Sequence, residues 1–250
     1  MVGRRKYETL DEITLNLYRK GFKIMDIFDE IKSIGKHTCV AKIGGFRPEN
    51  TDLNWFGGNF SRDPKEAWPE VNGSLLVPLL QIYITDIKDG HKIFGDHMLI
   101  QIYIEKDHLP MDINRNGDGW KIVFYKDINL LEITETPEPA NILKPFPVRW
   151  NLNEVLDYPC WEEAWEHVDL TEINENEELN DRFFDEFNRY AKTKIGGYAS
   201  YIQSPISDEY EFILQISSEE KPGLMIGDNG NIYIYKSNID NDWYLYWDCY

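Results

Sequence analysis

Cysteine is scarce in this sequence: Cys39, Cys160 and Cys249 are the only three among 250 residues, and they stand far apart. An odd, dispersed set supplies neither a disulfide framework nor the short paired spacing of a zinc site, so a reducing cytoplasm is the expected compartment. Long apolar runs are lacking as well. The most apolar stretch, Leu75 to Ile84, contains Pro78 and Gln81 and is about half of the roughly 20 residues a membrane helix needs. Arg4, Arg5 and Lys6 are followed by Tyr7-Glu8-Thr9-Leu10-Asp11-Glu12, an acidic helix start rather than the apolar core of a secretory signal, and no export is expected. Basic residues are the third deficit. Twenty-six Lys and Arg against 44 Asp and Glu give a formal charge of −18 at pH 7, the wrong sign for gripping the phosphates of nucleic acid or anionic lipid. Neither is expected as a partner.

What is abundant is core-forming material. Hydrophobic residues make up 42% and aromatics 14% of the chain, including eight Trp and fifteen Tyr, which is too rich for a chain that cannot offset its ordering entropy. Leu10, Ile13, Leu17, Ile24, Ile27, Phe28 and Ile31 follow helical spacing, with Gly21 as a break and Gly35 as a stop. Short β runs follow at Cys39–Ile43, Leu75–Ile84, Met98–Ile104, Trp120–Tyr125 and Leu130–Ile133. Pro137, Pro139, Pro145 and Pro147 make the next segment an extended connector. Residues 175–191 return to helical spacing, with Leu179, Phe183, Phe184, Phe187 and Tyr190 on one face. Strands close the chain at Glu211–Ser217, Asn231–Tyr235 and Trp243–Trp247. The expected division is an N-terminal helical segment over 1–35, a first α+β half over 36–150 carrying insertions, and a compressed acidic half over 151–250, all within one compact domain.

The two halves echo each other. Lys42-Ile43-Gly44-Gly45-Phe46 answers Lys194-Ile195-Gly196-Gly197-Tyr198, and Leu80-Gln81-Ile82 answers Leu214-Gln215-Ile216. The run from Gly117 to Lys126 answers that from Asp228 to Lys236. The fold expected from this is α+β, internally duplicated, a pseudo-twofold arrangement of antiparallel sheets with flanking helices. With Trp68-Pro69, Gly73 to Ile82, Tyr201-Ile202-Gln203, Gly227-Asp228-Asn229-Gly230 and the closing Trp247-Asp248-Cys249-Tyr250, these motifs resemble the YwqG-like family of bacterial proteins of unknown function, from about Cys39 to the last residue. Ile226 and Asp248 stand where the family pattern has Trp and Gln. The resemblance implies a duplicated α+β fold and no established activity. The occurrence of such proteins near secreted bacterial toxins implies an immunity role for some of them.

No catalytic residue, metal site or cofactor is assigned. Asp112, Asn114 and Asn116 with Gly117 imitate the start of a calcium loop, but Val123 falls where a bidentate Glu is required; a Gly/Asn-rich hairpin turn accounts for the same residues. His91, His97 and His108 have no ligand-like spacing. There is no Gly-x-Ser-x-Gly elbow, and no cysteine sits in a reactive-thiol signature. The pairs Gly44-Gly45, Gly57-Gly58 and Gly196-Gly197 lack the Lys-Ser/Thr of a phosphate loop and read as close backbone packing.

Charge distribution is more informative. Residues 151–250 hold 6 basic and 22 acidic side chains, a net −16, so nearly all the excess lies there. Solubility alone explains such a density. The sharper reading is a face that steers in a basic protein partner, a toxin domain in the case the resemblance implies. Trp161, Glu162, Glu163, Trp165, Glu166, Asp169, Glu172, Glu175, Glu177 and Glu178 are the residues expected at that interface, with aromatic anchors inside an acidic field; core packing of the Trp residues is the competing account. The alternative function is binding of a small ligand, or an enzyme activity, in a cleft between the halves near Gln81 and Gln215. Oligomeric state is open.

Overall fold

A computed structural model describes residues 26–49, 53–151, 155–187 and 191–250. The expected helical positions Leu10 to Ile24, together with Glu154 and Tyr190, lie outside the described residues. The architecture is mixed α+β, mostly antiparallel strands with a few helices. The first element, α1 (Ile27–Ser33), is capped by Asp26, whose carboxylate accepts from the Phe28 amide at 3.2 Å. It buries Phe28 and Ile31, as their spacing predicts.

The strands in chain order are β1 (Lys36–Ile43), β2 (Trp55–Phe56), β3 (Phe60–Arg62), β4 (Glu70–Val71), β5 (Ser74–Leu75) and β6 (Val77–Tyr83). After a 3-10 turn at Ile84–Asp86 and the short helix α2 (Gly90–Phe94) come β7 (Leu99–Ile104), β8 (Asn114–Arg115), β9 (Trp120–Tyr125), β10 (Glu132–Thr134), β11 (Phe146–Trp150) and β12 (Val155–Asp157). The helical stretch α3 (Trp161–Ala164), α4 (Thr171–Glu175) and α5 (Glu177–Glu186) precedes β13 (Lys194–Gly196), β14 (Tyr210–Ser217), β15 (Asn231–Ser237) and β16 (Trp243–Asp248).

Twelve strands form one sheet in the order β8-β16-β15-β14-β13-β1-β11-β2-β6-β7-β9, with β12 on the first residues of β1. All its pairings are antiparallel. The centre is β1 against β11. One wing, β2-β6-β7-β9, extends from β11, and the other, β13-β14-β15-β16 with β8 at its edge, extends from β1. Strands alternate inward and outward side chains, and the inward set of both wings fills one core. Leu80, Ile82, Ile100, Ile102 and Ile122 from one wing join Leu214, Ile216, Ile232, Ile234 and Leu245 from the other. Each such side chain contributes about 1.5–3 kcal/mol on full burial. The outermost strands β8 and β9 are joined by a turn at residues 116–119, and Phe124 of β9 lies 5.2 Å from the Trp243 ring of β16. The sheet therefore curls until its ends meet.

The register differs from the expected echo. Lys42-Ile43 pairs with Arg149 and Val148 of β11, not with the Gln81 strand. That strand is flanked by Trp55-Phe56, with Trp55 opposite Gln81. In the other wing Lys194 stands opposite Gln215. Asn231 to Tyr235 lies directly beside the Gln215 strand, whereas Trp120 to Tyr125 is one strand further out from Gln81, beside β7. A glycine pair recurs in three places because the chain makes left-handed turns at each.

Candidate functional site

The two glutamines singled out in the sequence occupy matching positions. Gln81 Oε1 accepts from the Ser61 amide at 2.8 Å and from Gln101 Nε2 at 2.8 Å, and its Nε2 donates to the Leu53 carbonyl at 2.8 Å. Gln215 Oε1 accepts from the Ser200 amide at 2.8 Å, and its Nε2 donates to the Lys192 carbonyl and to Ser217 Oγ at 3.2 and 3.3 Å. Both side chains are buried. Their polar groups are spent on holding the glycine loops of residues 57–61 and 196–200 against the sheet, which is what a buried amide must do to avoid an unsatisfied group. A cleft of about 400 Å³ does lie between the wings, lined by Val77, Ile104, Met225 and Trp247 among others, but neither glutamine reaches it. The expected ligand pocket at Gln81 and Gln215 is thus replaced by two internal struts.

The acidic residues sit on the helical layer. Asp169 Oδ1 accepts from the Thr171 amide and hydroxyl, which hold its carboxyl below the ordinary Asp range. Asn176 caps α5 by accepting from the amides of Glu178 and Leu179. Beneath lies a small apolar core in which Phe28, Ile173, Phe183 and Phe187 are buried. Trp161 is half-buried and meets Phe183 edge-on at 5.0 Å, while Trp165 and Phe184 pack on it at 5.8 Å each. Trp165 and Phe184 remain 38% and 53% exposed. Trp161 is therefore anchored in packing, and its two neighbours carry the aromatic surface. Phe184, expected on the buried face, faces solvent.

Glu162, Glu166, Asp169, Glu172, Glu175, Glu177 and Glu178 are all exposed, and Glu163 is partly buried. Among the described residues, the ion pairs of this helical layer are those of Glu186 with Lys32 and Arg182, which hold its carboxyl below the ordinary range. Glu163 is the exception in environment. Its carboxylate accepts from the Cys160 amide at 3.4 Å at the start of α3, and burial pushes its carboxyl above the ordinary Glu range. Burial likewise raises the Cys160 thiol to about 12, which keeps it protonated near neutral pH. Among the described residues no group of three or more His, Cys, Asp or Glu is arranged to hold a metal ion, and no helix is long and apolar enough to cross a membrane.

A family model matches residues 55–249, from the first residue of β2 almost to the end of the chain. The chain belongs to the DUF1963 family, a domain of unknown function. A search among curated proteins found no match. Both glutamine struts and all the acidic positions named above lie within the DUF1963 span, whereas α1 and β1 precede it. The sequence reading missed the main buried charge of this DUF1963 chain. Lys194 Nζ bonds Asp157 Oδ2 at 2.6 Å and Ser200 Oγ at 3.0 Å, with both ionic side chains fully buried. Asp157 also accepts from the Tyr198 amide at 3.0 Å, and a Cβ on Gly197 (φ +76) would lie 2.5 Å from its carboxylate. Asp248, noted as a departure from the family pattern, is buried and accepts from Ile202 N at 2.8 Å, Gln203 N at 3.1 Å and Tyr233 Oη at 2.7 Å. The sequence signal was there for Asp248 alone.

Proposed function

We propose that this DUF1963 chain, YwqG-like in the narrower sense, is a non-enzymatic protein-binding module of the reducing cytoplasm, and that its acidic helical layer docks a basic protein domain, as an immunity protein does with a toxin. The observation that supports this reading is that uncompensated charge and exposed rings share one helical stretch: seven exposed carboxylates without a basic partner among the described residues lie with Trp165 and Phe184 between the start of α3 and the end of α5. Charge of one sign accelerates encounter, and aromatic anchors supply the short-range energy that charge in water does not. The three cysteines are free thiols, which agrees with a reducing compartment.

The test is co-purification with the product of the neighbouring gene at low and high salt. Glu162→Lys, Glu172→Lys and Glu178→Lys together, all on exposed positions, are expected to abolish the complex while the chain stays folded. A complex indifferent to salt and to these three changes overturns the proposal.

We further propose that the two wings descend from one duplicated unit. The correspondence runs from Trp55-Phe56-Gly57-Gly58 to Lys194-Ile195-Gly196-Gly197 and from Gln81 to Gln215, each glutamine accepting from the serine amide three residues beyond its glycine pair. A superposition of the wings on this register is expected to overlay β6 and β7 on β14 and β15; failure to overlay both pairs at once removes the reading.

A further inference from the structure

Beside the acidic layer, α3, β13 and the loop after it and the start of β14 enclose a cavity of about 370 Å³. Aromatic rings form much of its wall: Tyr198 and Tyr201 from the loop, Tyr210 and Phe212 from one face of β14. The rings are braced from behind, since Tyr201 Oη accepts from Tyr235 Oη at 2.8 Å and Tyr235 in turn meets Phe212 edge-on at 6.0 Å. Acids line it as well, Glu163 from α3, Glu166 just beyond it, and Asp208 and Glu211 from the opposite side, beside the apolar Ile93, Pro205, Ile206 and Ile213. Basic groups in the lining are Lys36, His37 and His167, so with neutral imidazoles the cavity is net negative by three charges.

Two details indicate what this lining accepts. The Lys36 ammonium lies 4.1 Å from the centroid of the Tyr198 ring, so one wall already holds a cation on an aromatic face. Glu163 is drawn partly out of water, its carboxylate held by the amide and the thiol of Cys160. A carboxylate in that setting gains more from an incoming cation than one on the open surface, because the local dielectric is lower. The volume is at the small end of the usual range for ligand sites, about 300–1,000 Å³, which suits one side chain.

We propose that this cavity receives an arginine side chain of the partner protein, its guanidinium against the aromatic wall, where Tyr210 and Phe212 are the half-exposed rings, and paired with Glu163. Arginine fits better than lysine because its planar head both stacks on rings and bonds a carboxylate through two donors. The proposal rests on the docking reading above and supplies its specificity element.

The experiment uses the full chain and three capped tripeptides, Gly-Arg-Gly, Gly-Lys-Gly and Gly-citrulline-Gly, with spermidine as a fourth probe, titrated by NMR at low salt. Gly-Arg-Gly is expected to bind about tenfold more tightly than the isosteric neutral citrulline peptide and more tightly than the lysine peptide. Glu163→Gln and, as a second variant on an exposed position, Glu211→Gln are each expected to weaken it about threefold or more, with shifts confined to Tyr210, Phe212 and their neighbours. Equal binding of arginine and citrulline peptides overturns the proposal, and so does tighter binding of spermidine, which would make a free polyamine the occupant. The outcomes separate from those of the docking test, because Glu162, Glu172 and Glu178 do not line the cavity. A salt-sensitive complex with no arginine preference removes the cavity alone, and an arginine-selective cavity without a complex removes the docking surface alone.

Discussion

Replacing Lys194 by Met isolates the largest single electrostatic commitment in the fold. In the wild type the ammonium bonds Asp157 at 2.6 Å and Ser200 at 3.0 Å with no exposure to water. Methionine matches the stem in length, so little packing is lost, but Asp157 is left as a buried charge whose remaining bond is from the Tyr198 amide at 3.0 Å; its Oδ1 has no partner among the described residues. Breaking such a pair from one side costs about 3–5 kcal/mol, whereas removing both charges together is close to neutral. In a chain of this size that corresponds to a drop in Tm of about 10 °C or somewhat more. The assay is chemical denaturation of four proteins: wild type, Lys194→Met, Asp157→Asn and the double variant, in which the introduced amide oxygen can still accept from the Tyr198 amide. The double variant is expected to recover to within about 1 kcal/mol of wild type. If Lys194→Met alone costs less than about 1 kcal/mol, or the double variant is no more stable than either single one, the charge is not isolated from water and the reasoning fails.

Glu163→Gln tests the raised carboxyl. Its folded pKa lies above its unfolded value, so the protonated form favours the fold and that contribution is lost as pH rises through the folded pKa. The facing groups are Cys160, Lys36 and Glu166. The variant is therefore expected to gain on wild type as pH rises from the ordinary Glu range, about 4.3, through the raised folded pKa, and a stability difference that stays constant with pH refutes the assignment. Gln215→Leu strands the Ser200 amide and the Lys192 carbonyl, and Gln81→Leu strands the Ser61 amide and the Leu53 carbonyl. Each is expected to cost about 2–3 kcal/mol in urea denaturation, with the two costs similar. Phe184→Ser, at a position 53% exposed, is expected to change stability by less than about 1 kcal/mol while weakening any complex made through the acidic layer, as measured by calorimetry. Glu172→Lys with Glu178→Lys is expected to raise Tm by about two degrees at low salt and by nothing at 1 M salt, where screening removes self-repulsion.

The parts of the fold that were legible are those whose signal is local. Trp120–Tyr125 is a strand within its expected limits, and Asn231–Tyr235 and Glu211–Ser217 each lengthen by one or two residues, because alternation of aliphatic and polar residues has a period of two wherever one face is buried. The acidic helix α5 was legible for the same reason at a period near 3.6, within the expected run over 175–191, whereas the short helices α3 and α4 before it were not expected. What was illegible depends on partners far away in sequence. Trp55-Phe56 is too short to stand out as a strand, yet it flanks Gln81. Asp157 and Lys194 are 37 positions apart, and nothing in either neighbourhood announces the pair. The cavity draws on α3, a loop and β14, so no window of sequence contains it.

The outer faces of the two wings are covered differently. In the first wing the outward row Gln81, Gln101 and Tyr103 is closed over by Phe60, Trp68 and Leu76, with Arg62 buried against the Trp68 ring at 4.8 Å. The four side chains Phe60, Val71, Leu76 and Tyr103 are all buried there and form a sealed cluster. In the second wing the cross-strand row Gln215, Tyr233 and Tyr246 continues into Tyr235, Tyr201 and Tyr210, and its cover is α3 with the loop 198–208. That cover meets the sheet across tyrosines together with Cys160, Ala199 and Ile206, with Glu163 at the margin, and it leaves a space of about 370 Å³. An aliphatic seal would have been the more stable solution, since polar rims and a raised carboxyl cost burial energy without packing return. The negative, aromatic gap over the second wing, which the first wing lacks, is the feature on which the proposed arginine site rests.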